Sequence, residues 1–561
     1  MLEETIRKHA LKNAHEYGKA DQKGIVGKVI AEFPDAKKDM QKTMDQIKKA
    51  IISVNKMKKA QIEEELGNYS FAEKKPETER KFRIAGAEDG KVVTRFLPEP
   101  NGYLHIGHAK AAVLSSELAK QYAGKCIIRF DDTNPEAEAQ EFVDAIKRSL
   151  EWLGLEFANE TYTSDKMQQL YKFAEKMLIL DRAYVCCCKK EDINRNRYSK
   201  TECACRGRRG GEHFHLWEKM IAGDVEEGQL ILRFKGDMKS ENTAMRDPTL
   251  FRIIKSEHYR QGKKYSCWPT YDFEVSISDS LDGITHALRS KEYELRDELY
   301  YAILDAVNLR KPVVYDFSRL NIRGTMLSKR LIKPLIEKKQ VLGWDDPRLP
   351  TLDGLKKRGI LPKAIKEFVL RQGLSKVESE PEFEDLLAIN RRLLENATRH
   401  SVFVPEPVKL KISGMPENLE LTGIKSNLKK HLEIIIPGKD AAEMKPKETV
   451  RLRQLADVKI ATKHKAGIDA EFVAPAEKPP EKRVQWLLDD ERERIGCEVM
   501  EIGPLLDGRG EFNGEGLKIA KGFCSTDCLQ LKEGETVHFD RYGFCKLDRK
   551  ENGKLIFILS C

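Results

Sequence analysis

A chain of 561 residues, 40% hydrophobic and 34% charged, is long enough for several domains and too apolar to be disordered throughout. Its 99 Lys and Arg against 90 Asp and Glu leave a formal charge of +9, too small an excess at this length to name a polyanionic partner by itself. No run approaches the roughly 18 apolar residues of a membrane span, and the N-terminus (MLEETIRKHALKNAHEYG) is polar, so the expectation is a soluble, cytoplasmic protein with no membrane contact.

The first 65 or so residues read as helical, because Met40, Met44, Ile47, Ile51 and Val54 recur at spacings of four and three on a Lys-rich background. A small helical appendage and a docking module for tRNA or protein both fit that pattern. The charged stretch 71–81 (FAEKKPETERK) reads as a linker, so residues 1–85 form one group. Strands then alternate with helices. Residues 91–96 (KVVTRF) are followed by a Pro/Gly turn and a helix over 107–122; residues 125–130 (KCIIRF) end in Asp131 and Asp132, and Asn134-Pro135 opens a helix running to Trp152. Such a β-α-β pattern predicts a parallel sheet that binds ligands at the carboxyl ends of its strands, where the turn and the Asp pair sit. Residues 86–344 are assigned to this domain, with a less regular insertion at about 154–264 that holds a strand candidate at 229–235. Residues 345–400 are helical, for instance 362–372 closed by Gly373. From Ser401 the pattern is β: Val408, Leu410 and Ile412 alternate with lysines, and 544–547 and 555–559 are joined through Asn552-Gly553. Residues 401–561 are expected to form one or two antiparallel barrels, and no internal repeat is evident.

Chemistry concentrates in residues 95–110 (RFLPEPNGYLHIGHAK), where His105 and His108 stand at the mouth of a helix. A helix N-terminus offers unpaired N–H groups and a positive dipole end to phosphate, and two imidazoles add donors beside it. A second cluster is made of cysteine. Cys186, Cys187, Cys188, Cys203 and Cys205 fall within twenty residues, in a chain whose thiols should stay reduced. Cys186, Cys188, Cys203 and Cys205 form two C-x-C knuckles that suit a tetrahedral, structural zinc, with Cys187 an extra candidate; unmetallated thiols are the alternative.

These strings carry a resemblance. His105-Ile106-Gly107-His108 is similar to the first signature of class I aminoacyl-tRNA synthetases, and 129–135 (RFDDTNP), 271–289 (YDFEVSISDSLDGITHALR), 326–330 (MLSKR) and 343–348 (GWDDPR) follow in the order of the glutamyl/glutaminyl branch. Met326-Leu327-Ser328-Lys329-Arg330 resembles the second signature, without its usual first Lys. The resemblance implies a multidomain α/β plus all-β fold: a Rossmann-type catalytic domain with an acceptor-stem insertion, a helical stem-contact region and antiparallel barrels that bind the anticodon. A β-barrel end is that of glutaminyl enzymes and of archaeal and eukaryotic glutamyl-tRNA synthetases. It also implies ATP as substrate with Mg2+, both signatures holding the nucleotide, and His105, His108 and Lys329 stabilising charge on the triphosphate. Asp131, helped by Glu99, would take the α-ammonium of the amino acid, Arg95 its α-carboxylate, and Tyr271 would lie beside the side chain.

Arg289 stands where glutaminyl enzymes usually carry a small neutral residue. A fixed cation pairs with a γ-carboxylate and is left unpaired by a γ-amide. The expected function is therefore glutamate–tRNA ligase, acting on L-glutamate and tRNA(Glu), with tRNA(Gln) open as a second substrate. A glutaminyl enzyme is the nearest alternative, and a nucleic-acid-binding protein that keeps the shape without catalysis is the other. Related synthetases carry zinc in the inserted region. Basic residues at 206–209 and at Lys445, Lys447, Arg451 and Arg453 are expected to meet tRNA phosphates.

Overall fold

The computed structural model describes residues 2–17, 19–57, 59–66, 69, 82–326, 329–416, 431–474, 480–507 and 510–561; the stretch read as a linker, 71–81, lies outside them. Two compact units divide the chain, Met1–Lys81 and Phe82–Cys561. The first contains α1 (Leu2–Tyr17), α2 (Gln22–Glu32), α3 (Met40–Val54) and α4 (Lys59–Leu66). The Asp39 side chain caps α3 by accepting from Lys42 N at 3.0 Å. Of the predicted stripe, Ile47 and Val54 are fully buried in a core with Ile6, Leu11, Ile25 and Val29, whereas Met40, at the helix start, is 38% exposed.

In the second unit β1 (Val93–Phe96), α5 (Ile106–Gln121), β2 (Lys125–Phe130), α6 (Gln140–Trp152) and β3 (Glu160–Tyr162) build a parallel sheet in the order β1-β2-β3. Helix α6 starts at Gln140, not at Asn134. Glu138 Oε1 accepts from Asn134 N at 2.9 Å and Asn134 O accepts from Ala137 N at 3.1 Å, so 134–139 closes on itself as a turn.

There follow α7 (Met167–Ile179), β4 (Ala183–Cys186), α8 (Lys190–Tyr198), α9 (Gly210–Ala222), β5 (Ile231–Phe234), β6 (Thr249–Ile253) and β7 (Cys267–Pro269). These four strands form a separate antiparallel sheet in sequence order. The chain then returns through α10 (Tyr271–Leu281), β8 (His286–Ser290), α11 (Asp297–Ala306) and β9 (Val313–Phe317), with β8 and β9 parallel. Thr285 N donates to Val93 O at 2.9 Å, which sets β8 beside β1. The strand order is thus β3-β2-β1-β8-β9, a doubly wound arrangement whose order reverses between β1 and β8. One core holds Trp217 of α9 and Phe251 and Trp268 of the inserted sheet together with Phe273, Ile277 and Ile303 of α10 and α11, so the insertion is seated on α10 and α11. Helix α12 (Lys329–Glu337) is followed by α13 (Leu352–Arg358), α14 (Pro362–Gln372) and α15 (Phe383–Glu395). The last three share a core with Phe96, Ile106, Val113 and Ile146, which ties them to the parallel sheet.

The remaining strands are β10 (His400–Ser401), β11 (Phe403–Pro405), β12 (Val408–Ser413), β13 (His431–Ile436), β14 (Thr449–Leu452), β15 (Ala456–His464), β16 (Gly467–Val473), β17 (Arg483–Val484), β18 (Leu487–Leu488), β19 (Arg494–Ile502), β20 (Leu517–Ser525), β21 (Thr536–Phe539), β22 (Gly543–Glu551) and β23 (Lys554–Leu559). They form two sheets, ordered β10-β21-β22-β23-β19-β20-β11 and β17-β14-β15-β16-β12-β13-β18. In each, the two edge segments are neighbours in sequence, separated by Val402 in one and by Gln485 and Trp486 in the other. One bent strand therefore closes each sheet into a barrel and removes its edges.

The barrels are mixed, where alternation along the strands implied antiparallel. Each consists of a hairpin (β19–β20; β12–β13), a three-strand meander (β21–β22–β23; β14–β15–β16) and the bent strand. Pairing is antiparallel inside these pieces, but two joins between them fall between strands running the same way: β10 with β21 and β19 with β23, β14 with β17 and β12 with β16. The topology is therefore repeated, with the bent strand leading in one barrel and trailing in the other. The β22–β23 hairpin turns on Asn552 and Gly553, both at positive φ (50° and 72°).

Candidate active site

Helix α5 opens at the carboxyl end of β1. His105 is its N-cap: His105 Nδ1 accepts from Gly107 N at 3.0 Å, and His108 Nδ1 accepts from His105 N at 3.1 Å. With Nδ1 accepting in both, the neutral rings carry their proton on Nε2 and present it as a donor. The ring centroids are 3.8 Å apart. A Cβ on Gly107 would fall 2.8 Å from His105 Cε1, so only glycine lets that ring lie over the helix start. Ile106 points the other way and is fully buried in the core. The GWDDPR block and the residues just after it support this turn. Ile106 N donates to Pro350 O (3.0 Å), Leu352 N donates to Leu104 O (2.9 Å), and Trp344 stacks on Tyr103 with centroids 5.4 Å apart.

Beside the histidines lies a cavity of about 290 Å³, whose wall brings Arg95, His105, Gly107, His108, Tyr271 and Arg289 together. Arg95 is nearly sealed (3% exposed); its Nε lies 3.0 Å from Asp279 Oδ1 and its Nη1 donates to Leu288 O at 2.8 Å. The same Asp279 oxygen accepts from Arg129 Nη2 at 2.7 Å, and Arg129 Nη1 reaches Asp282 Oδ2 at 2.7 Å. Two guanidinium groups hold the Asp279 carboxyl below its usual range although burial pushes the other way. Arg129, Asp279 and Asp282 lie inside the quoted blocks 129–135 and 271–289, but sequence reasoning gave none of them a role.

On the same cavity wall, Arg289 (4% exposed) sits among the rings of Tyr271, Tyr293 and Tyr300, its Cζ 5.8, 5.3 and 5.5 Å from their centroids. Its Nε and Nη1 are buried and make no hydrogen bond.

Asp131 and Glu99 are off this wall but adjacent to it: Asp131 N donates to Pro98 O at 3.1 Å. Burial, with Glu99 adding like charge, pushes the Asp131 carboxyl up to about 6 against the hydrogen bond from Thr133. Beneath it, Asp132 accepts from Ser164 N and Oγ (2.8 and 2.7 Å), and Glu138, 7% exposed, is pushed by burial and by both aspartates up to about 10. Glu138 is thus a neutral acid at pH 7.

Of the second signature, Leu327 and Ser328 lie outside the described residues, Met326 packs beside Ile332 and Leu335, Lys329 opens α12, and Arg330 is exposed. One lysine of the first signature was overlooked. Lys110 is 1% exposed and donates to Ser318 O (2.6 Å) and Ser318 Oγ (3.2 Å), and burial pulls its ammonium down to about 8. It ties α5 to the end of β9, next to Arg319 and Leu320 on the cavity wall.

Residues 91–396 match the family described as tRNA synthetases class I (E and Q), catalytic domain. The chain belongs to that family. It is 42% identical to the glutamate–tRNA ligase of Nitrosopumilus maritimus over 98% of each chain, and 40% identical to that of Cenarchaeum symbiosum over 96% of each. The glutamate–tRNA ligase of Pyrococcus furiosus is 35% identical over 99% of both chains.

In the synthetase's inserted sheet the Sγ atoms of Cys186, Cys188, Cys203 and Cys205 all lie within 4.8 Å of one another, with Cys186–Cys203 at 3.9 Å and Cys188–Cys205 at 3.8 Å. Tetrahedral Zn–S bonds of about 2.3 Å require S···S separations of about 3.8 Å, so the donor set fits zinc. Arg233 Nη1, 4.0 and 3.9 Å from Cys186 and Cys203, offsets one of the two negative charges that four thiolates would leave on Zn2+, while Arg208 Nη2 donates to Cys187 at 3.1 Å. Cys187 is exposed, with its Sγ 3.6 Å from that of Cys205 but outside the mutually close four.

Several expected tRNA contacts are engaged within the synthetase itself. Arg206 is bound to Asp247, Arg451 makes a two-pronged pair with Asp457 (2.6 and 2.8 Å), and Arg453 reaches Asp540 at 3.1 Å. Lys445 and Lys447 are exposed on a turn.

Proposed function

We propose that the chain is a glutamate–tRNA ligase: it activates L-glutamate with ATP to glutamyl-adenylate and pyrophosphate, then transfers glutamate to the terminal adenosine of tRNA(Glu), with tRNA(Gln) open as a second acceptor. The observation that carries the amino-acid choice is Arg289, a sealed cation on the cavity wall with two unbonded N–H groups. A γ-carboxylate offers those N–H groups two charged acceptors; a γ-amide offers one neutral acceptor and an NH2 that the guanidinium cannot pair with.

In the first step the α-carboxylate of glutamate attacks the α-phosphorus of ATP. Asp131, with Glu99, receives the α-ammonium and Arg95 the α-carboxylate, while Tyr271 flanks the side chain. The Nε2–H donors of His105 and His108 and the ammonium of Lys329 stabilise charge on the triphosphate, with Ser328 and Arg330 in the same loop. Mg2+ accompanies ATP and neutralises its phosphates. In the second step a terminal ribose hydroxyl attacks the mixed anhydride. Cys186, Cys188, Cys203 and Cys205 hold a structural zinc that stiffens the acceptor-end insertion, and the barrels bind the anticodon end.

Charging of tRNA(Glu) and tRNA(Gln) with labelled glutamate and, separately, labelled glutamine tests this reading. Glutamate on tRNA(Glu) is expected, and charging by glutamine alone would reverse it.

A further inference from the structure

Around Arg289 the fold keeps a set of buried groups that contact with substrate does not by itself explain. Arg289 and Asp316 are register partners on β8 and β9, and Asp297, the first residue of α11, places Oδ1 3.2 Å from Arg289 Nη1. That approach is an ion pair without hydrogen-bond geometry. Arg289 Nε and Nη1, Asp297 Oδ1 and Asp316 Oδ1 are all buried and unbonded, and a fold retains such atoms where a ligand or a proton completes them.

The other charges facing this point are already engaged. Lys376, from the loop after α14, is 3.3 Å from Asp316 Oδ2 and 3.0 Å from Glu294, Glu292 is held by Arg319 at 2.7 Å, and Asp279 is held by Arg95 and Arg129. Arg289 is thus paired with Asp297 and sits across the strand register from Asp316. Burial, with Asp316 adding to it, pushes Asp297 up to about 7 although Arg289 opposes this.

We propose that Asp297 holds Arg289 while the pocket is empty and takes up one proton when the γ-carboxylate of glutamate arrives. An ionised Asp297 competes with the substrate for the guanidinium and repels it as a like charge; a protonated Asp297 does neither. The proton comes from solvent and is carried by Asp297, and no bond to the substrate forms or breaks. Glutamine brings no γ-charge and draws no proton, so its KM is expected not to follow this titration. Asp297 is a positioning residue in this scheme, and the scheme rests on the assignment of Arg289 to the γ-carboxylate.

The test is the KM for glutamate in tRNA charging by the full chain between pH 6.5 and 8.5. The wild-type KM is expected to rise about tenfold from pH 7 to 8.5, with kcat changing less, because uptake of one proton gives a limiting slope of one decade per pH unit. Asp297→Asn should hold KM flat above pH 7. Asp316→Asn, which removes the neighbouring charge, should move the rise to lower pH. Two near-isosteric variants shifting the profile in different ways is an outcome that a packing role does not produce. Asp297→Asn following the wild-type profile, or raising KM equally at every pH, overturns the proposal. Arg289→Cys separates the two assignments: if it leaves the KM for glutamate unchanged, the assignment of Arg289 itself fails; if it raises KM while Asp297→Asn keeps the wild-type profile, only the proton coupling falls.

Discussion

The cations of the amino-acid cavity and those of the barrel surface are made of the same residue types and do opposite work. Arg95, Arg129 and Arg289 are at most 4% exposed, and each is placed by acids reaching it from a different element. On the barrels, Arg451 and Arg453 are partly exposed and paired with Asp457 and Asp540, while Lys445 and Lys447 stand in solvent. A buried charge is expensive to strand, so its substitution registers in folding or in kcat/KM. A solvated one costs little and registers chiefly in the salt dependence of polyanion binding.

The largest effect is expected at Asp279, a carboxylate shared by two sealed guanidinium groups. Asp279→Ala should destabilise the catalytic unit by about 3–5 kcal/mol, the range for a buried pair left with one partner. Chemical denaturation reads this directly, and a loss below 1 kcal/mol would show that the buried network is not what holds Arg95 in place. Next comes Lys329→Ala. Removing one donor to developing negative charge typically costs about 100- to 1000-fold. Adenylate formation should fall by that much while tRNA affinity holds; equal losses in both would contradict the role. Arg289→Cys should follow, with kcat/KM for glutamate falling about tenfold to a hundredfold, the equivalent of about 1.5–3 kcal/mol for a hydrogen bond to a charged group.

Much of this arrangement was readable from local pattern. The helices over 40–54 and 362–372 and the strand over 125–130 lie within the bounds that periodicity and capping residues suggested, because each is decided by contacts within a few turns. The two C-x-C knuckles were readable for the same reason. The helix begun at Asn134 was not, because the competing bond comes from the side chain of Glu138. The pairing of Arg129 with Asp279 and Asp282 joins residues about 150 positions apart, and no spacing rule reaches that far. The repeat of barrel topology was invisible for another reason. Its bent strand leads in one copy and trails in the other, so the two copies are out of phase along the chain.

The comparison can also be sharpened through pH. Asp131 must be ionised to hold an ammonium, and its carboxyl is raised to about 6. Affinity for glutamate is therefore complete above that value and is lost as pH falls through it, the reverse of the limb assigned to Asp297. A KM for glutamate that climbs severalfold between pH 6.5 and 5.5, in wild type and in Asp297→Asn alike, is the expected result. A climb abolished by Asp297→Asn would assign the acid limb to the wrong carboxyl.

The smallest effects belong to the barrels, and there the two kinds of surface cation should separate. Lys445 is exposed, so if tRNA phosphates meet that turn, Lys445→Ala should reduce the slope of log K against log salt by about one. Arg451 already spends both prongs of its guanidinium on Asp457, so Arg451→Ala should leave the slope nearly unchanged. The reverse pattern, with Arg451 carrying the slope, would mean that the ion pair opens on contact with tRNA. In that event exposure in the free protein would be a poor guide to which cations meet the nucleic acid, and the contrast between buried and solvated charge would hold for the cavity alone.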